Sequence, residues 1–173
     1  MKKETITQKM TFGVTVCMGI DCVGCPVPAY FEFTMECTAD EIALMRQLVS
    51  QASEKKREKG LLAILQSGAR KLATRMKTAL RQEALVYFVK EGIRHGDIEF
   101  DDDELQEHYN QEKAQNEDPE YDYYDWLCDE YARAQNESLD WIRSRYSAID
   151  DFDVDDFLDL GYTVEIPKKL LKK

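Results

Sequence analysis

Three cysteines fall within nine residues, Cys17, Cys22 and Cys25 in CMGIDCVGC. Thiolates at that spacing can close on a soft metal ion, exchange as a disulfide, or stand reduced in a turn. Zinc is the metal they suit, because its tetrahedral shell accepts three thiolates and one further donor. That donor would come from Asp21, His95, His108 or Cys128. Cys37 is a poor choice. A loop tip near Val23–Gly24 places it across from about Met10, seven residues from Cys17, and at about 3.3 Å per residue the gap exceeds 20 Å. Cys37 and Cys128 both fall on apolar stripes and are expected in the core. Thioredoxin-type chemistry at CVGC is not expected, since it uses a helix N-terminus to activate the thiolate and here PVP follows.

The spacing C-x4-C-x2-C is similar to the three-cysteine run of plant-type iron–sulfur ferredoxins. The likeness covers nine residues, and no fourth cysteine follows at the longer interval of that family. It is a coincidence of spacing. Asp151, Asp153 and Asp155 supply positions one, three and five of an EF-hand loop, but Asp156 and Tyr162 stand where glycine and glutamate are needed. A solvated acidic loop is expected there instead. His95 and His108 match no triad or ligand spacing, and no phosphate-cradling glycine loop, GxSxG or HExxH occurs. Nothing in these patterns argues for an enzyme.

The elements that would carry these residues are well marked. Met10, Phe12, Val14, Val16 and Met18 alternate with Thr11, Gly13, Thr15 and Cys17, and Phe31, Phe33, Met35 and Cys37 alternate in the same way. A period of two over both runs predicts a β-hairpin over residues 1–37. Thr38 and Glu41 form a capping-box signature, which starts a helix expected to end at Gly60. Leu61, Leu65, Leu72, Met76 and Leu80 continue at helical spacing towards Glu91, with a break signalled at Ser67–Gly68. Asp118-Pro119 opens a further helical stripe through Tyr124, Leu127, Cys128, Tyr131, Leu139, Ile142 and Tyr146. Tyr162, Val164 and Ile166 alternate as a last short strand. The pattern predicts one α+β domain over 1–173: a hairpin at 1–37, a helical region of three to four helices at 38–147, and an acidic loop, short strand and basic tail at 148–173. Hairpin and final strand would form a small antiparallel sheet covered by the helices.

The chain of 173 residues, 43% hydrophobic, can bury a core. No apolar run is long enough to span a membrane, and an odd number of cysteines suits a reducing compartment, so a cytoplasmic protein without a membrane partner is expected. The net charge of −11 conceals an asymmetry. Glu54–Arg94 carries eleven Lys/Arg against four Asp/Glu, and Asp97–Glu130 carries fifteen acids against Lys113 alone. The basic helix holding Arg70, Lys71, Arg75, Lys77 and Arg81 could meet phosphates, but the acidic remainder of the chain repels nucleic acid, and direct nucleic-acid binding is not expected.

The functional expectation rests on the acidic segment. Its carboxylates are interleaved with aromatics, which gives anchors within a charged rim. Asp101, Asp102, Asp103, Glu104, Tyr109, Tyr121, Tyr123 and Trp126 are the expected contacts for a protein partner with a basic surface. The chain would then act without catalysis or cofactor, in the manner of an inhibitor or immunity protein. The alternative of a different class is a zinc- or redox-responsive regulator built on Cys17, Cys22 and Cys25; an enzyme without a recognisable motif comes third.

Overall fold

Strand β1 (Thr7–Ile20) and strand β2 (Pro26–Thr38) pair antiparallel, with Phe12 opposite Phe33 and Val14 opposite Phe31. In the computed structural model, which describes residues 6–20, 23–24, 26–95, 102–116, 122–136, 138–145 and 153–171, the alternation resolves as expected. Met10, Phe12, Val14 and Val16 of β1, and Phe31, Phe33, Met35 and Cys37 of β2, are all buried. The rings of Phe12 and Phe33 stack with centroids 5.3 Å apart. Strand β3 (Tyr162–Val164) adds to the other side of β1, so the order is β2-β1-β3 and the hairpin's first strand is central. Val164 joins the buried face.

The protein is therefore an α+β fold, with nine helical segments among the described residues. Thr38 caps α1 (Ala39–Gln51) through a complete capping box: its Oγ1 accepts from the Glu41 N–H at 3.2 Å, and its own N–H donates to Glu41 Oε2 at 2.9 Å. The expected end of that helix at Gly60 is corrected. Helix α1 stops at Gln51, and a separate short helix α2 (Glu54–Glu58) follows. Arg57 makes the break possible, because its guanidinium donates to the Val49 and Ser50 carbonyls at 3.0 and 3.1 Å, acceptors that a helix end leaves open.

The signalled interruption at Ser67–Gly68 is real. Helix α3 (Leu61–Gly68) ends there, and α4 (Arg70–His95) begins after Ala69 at φ −148°. Gly68 lets Leu48 approach closely, since a Cβ there would lie 2.6 Å from Leu48 Cδ2 and would displace that side chain. Helices α5 (Asp102–Gln115), α6 (Tyr123–Asn136) and α7 (Leu139–Arg145) follow, the last two in place of the single stripe expected through Tyr146. The stretch read as a solvated acidic loop instead forms helix α8 (Val154–Leu158), with Val154 and Leu158 buried. The basic tail forms α9 (Lys168–Leu171), which packs on α1 with Leu170 buried.

The chain divides into two compact units, Met1–Ala84 with Val154–Lys173, and Leu85–Asp153. The first holds the sheet, α1–α3, the first part of α4, α8 and α9. Its core runs from the sheet through Met45, Val49, Leu61, Leu65, Met76 and Leu80. The second holds α5, α6 and α7, with Trp126 and Ile142 buried.

Candidate functional site

Where it is described, at residues 102–116 and from 122 onward, the acidic segment is mainly helical, which fixes the spacing of the carboxylates on those helices. Asp103 and Glu107, four apart on α5, are exposed, and residues at that interval share a helix face. Asp122 precedes α6 and accepts the Asp125 N–H on its Oδ1 at 2.8 Å. That is an N-cap bond, and the negative charges of Asp122 and Asp125 sit at the helix end that favours them. Asp125 and Asp129 are exposed on α6. Glu130 is the exception, at 3% exposure, and Arg133 one turn on donates to its Oε1 at 3.3 Å.

The aromatic residues divide differently. Tyr109 is half-buried on α5, and its ring meets Trp126 of α6 edge-on, with centroids 6.0 Å apart and planes at 67°. Trp126 is 3% exposed, so it packs inside the second unit, and its ring is the α6 side of this contact with α5. Lys113, the single base of the segment, has its Nζ 5.6 Å from the centre of the Tyr109 ring, a cation–π distance. Asp102 and Glu104 lie in the first turn of α5, and Tyr123 is the first residue of α6. Asp101 and Tyr121 lie outside the described residues.

The cysteines separate as well. Cys17 is half-buried in β1 opposite Pro28, and its N–H donates to the Gly161 carbonyl at 3.0 Å. Cys22 and Cys25 lie outside the described residues. Cys37 is buried, and burial pushes its thiol pKa up, with Glu41 and Glu36 adding to the rise and Arg75 opposing it. Its strand partner is Gln8 rather than Met10, nine residues from Cys17, or about 30 Å along the strand. Cys128 is exposed, a correction to its expected place in the core: among the described positions of α6, Trp126 and Glu130 are the buried ones. Among the described residues no group of three His, Cys, Asp or Glu is placed to hold a metal ion.

One cluster on the outer sheet face was not anticipated. Tyr30 Oη donates to Glu32 Oε1 at 2.9 Å, and its ring lies over Gly13, where a Cβ would come 2.5 Å from the phenol oxygen and 3.0 Å from Glu165 Oε2. The hydrogen bond to Glu32 is the largest cause of a raised Tyr30 pKa; desolvation and the charges of Glu32 and Glu165 add to it. Strand alternation alone places Tyr30 and Glu32 on one face, so half of this cluster was legible. Glu165 arrives through β3, whose register no local pattern sets.

No protein-family model, curated protein or solved structure matches the chain. No described helix is long and apolar enough to cross a membrane.

Proposed function

We propose that the chain is a non-catalytic binding protein whose acidic segment, Asp97–Glu130, docks a macromolecular partner with a basic surface, as an inhibitor or immunity-type protein does. One observation carries this reading. Asp103, Glu107, Asp125 and Asp129 are exposed on two helices that meet where Tyr109 packs on Trp126, while the one lysine of the segment is engaged over the Tyr109 ring. These four carboxylates are thus presented on helices, at spacings the helices set. Charges so placed act chiefly on the encounter rate and on the exclusion of wrong partners. A cytoplasmic setting goes with this reading, since an odd number of cysteines suits a reducing compartment.

The experiment is affinity capture from the native cell, comparing the wild-type chain with the variant Asp101→Asn, Asp102→Asn, Asp103→Asn, Glu104→Gln. Recovery of a basic protein by the wild type and its loss from the variant supports the reading. Identical recovery by both ends it.

A further inference from the structure

The basic residues of Glu54–Arg94 fall into two groups in the first unit. Three arginines are engaged internally. Arg57 closes the end of α1, Arg75 pairs with Glu41 and donates to the Glu36 carbonyl at 2.7 Å, and Arg81 binds Asp155. Lys55, Lys59, Arg70, Lys71 and Lys77 have no carboxylate partner among the described residues, although the chain holds 34 acids to 23 bases.

Four of these five converge. Three adjoining depressions run along α3, bordered by α4 in the first, by α2 in the second, and by α1 and α2 in the third. Gln66 is shared by the first two, and Ser53 and Lys56 by the second and third. Together they form one groove rimmed by Lys55, Lys59, Arg70 and Lys77, with no acid in its lining. The local sequence explains how the sorting arises. On α2, Glu54 and Glu58 stand four apart on one face, and Lys55 and Lys59 stand four apart on the next. On α4, Arg70, Thr74 and Lys77 recur on a single face, all exposed. The remaining cation, Lys56, bonds the Ser67 hydroxyl and keeps its charge uncompensated.

We propose that this α2–α3–α4 groove is a second docking site, of opposite sign to the first, which takes an acidic polypeptide segment. The charge of the groove requires an anionic occupant. Its lining contains no aromatic side chain on which bases could stack, the contact that dominates single-strand binding. A chain of net charge −11 also repels a long polyanion that runs past the groove. A short carboxylate-bearing segment avoids both difficulties. Arg70 and Lys77 lie about 10 Å apart along the helix axis, and carboxylates three residues apart on an extended segment span a similar distance of about 10 Å. The inference is independent of the acidic segment's role.

The test is fluorescence anisotropy with the full chain and two labelled probes of equal length, a glutamate-rich peptide and a single-stranded oligodeoxynucleotide, at low salt. The groove variant is Lys55→Gln, Lys59→Gln, Arg70→Gln, Lys77→Gln. The control is Lys9→Gln, Arg46→Gln, Lys168→Gln, Lys169→Gln, which removes the same charge away from the groove. Circular dichroism checks that both fold. Binding of the peptide by the wild type, weakened about tenfold or more in the groove variant and little changed in the control, supports the site. Equal weakening in both variants, or no peptide binding by the wild type, overturns it. Tighter binding of the oligonucleotide than the peptide, lost in the groove variant, overturns the assignment to a polypeptide and makes the groove a nucleic-acid site.

Discussion

Tyr109 and Trp126 meet edge to face at 6.0 Å, and this contact joins the two helices that carry the exposed carboxylates. Trp126, expected at the binding surface, instead packs inside the second unit at 3% exposure. Its replacement by alanine is expected to cost about 3–5 kcal/mol. A double-mutant cycle with Tyr109→Ala should return a coupling of about 0.5–1.5 kcal/mol. Denaturant unfolding followed by far-ultraviolet circular dichroism gives both numbers, and strictly additive losses would contradict the contact.

Two glycines with the same φ of +86° should respond differently to alanine. At Gly60 a Cβ would lie 2.4 Å from the Val164 carbonyl oxygen, whereas at Gly24 nothing stands within 4 Å. Gly24→Ala meets only the intrinsic cost of a left-handed backbone, about 1 kcal/mol. Gly60→Ala adds a collision with the backbone of β3 and should cost about 3 kcal/mol or more. Thermal unfolding of the two variants checks the order, and equal losses would contradict the placement of α3 against β3.

Much of this architecture was legible in local pattern. A period of two gave the hairpin and β3, Thr38 with Glu41 gave the start of α1, and Gly68 gave the break before α4. The misplaced features depend on partners distant in sequence or on small offsets in the hairpin. The end of α1 depends on Arg57 turning back onto Val49 and Ser50, which no local pattern marks. The pairing of Cys37 differs by two positions: the irregularity between Cys17 and Ile20 accounts for one, and a turn centred on Val23, as the Ile20–Pro26 pair sets it, for the other. Cys128 shares its apolar stripe with residues on either side, but burial on α6 falls on Trp126 and Glu130, which the stripe does not mark. The charge asymmetry was plain in the sequence. The separation of engaged arginines from the unpaired cations of the groove was not, because Glu41 and Asp155 reach α4 from distant segments.

Thiol reactivity should follow burial. Cys128 is exposed, whereas Cys37 is buried with its pKa raised chiefly by that burial. Access favours Cys128, and burial holds back thiolate formation at Cys37. Brief alkylation of the native chain at neutral pH, mapped by peptide mass, should label Cys128 well before Cys37. Labelling at equal rates would contradict the burial of β2.

Tyr30 should titrate above the ordinary phenol value of 10.0, because ionising it breaks the donation to Glu32 and places a third negative charge beside Glu32 and Glu165. The raised value favours the protonated phenol in the folded chain. Any stability it contributes is complete below pH 10.0 and is lost as pH rises through the higher folded value. The difference in phenolate absorbance between the wild type and Tyr30→Phe isolates this group. Glu32→Gln should bring its titration down. An unchanged midpoint in that variant would contradict the hydrogen bond as the main cause.

The central claim is that the acidic segment steers association with a basic partner. The most direct measurement is the association rate of a labelled arginine- and lysine-rich peptide with the full chain at low and at high salt. It is made for the wild type, for the variant Asp101→Asn, Asp102→Asn, Asp103→Asn, Glu104→Gln, and for a control that neutralises Glu36, Asp156, Asp159 and Glu165 in the first unit. Exposed charges act over about 8 Å at physiological salt, so position and not net charge should decide the outcome. Slower association and a flatter salt dependence are expected in the segment variant, with the control close to the wild type. Equal slowing in both variants, or no slowing in either, would contradict it.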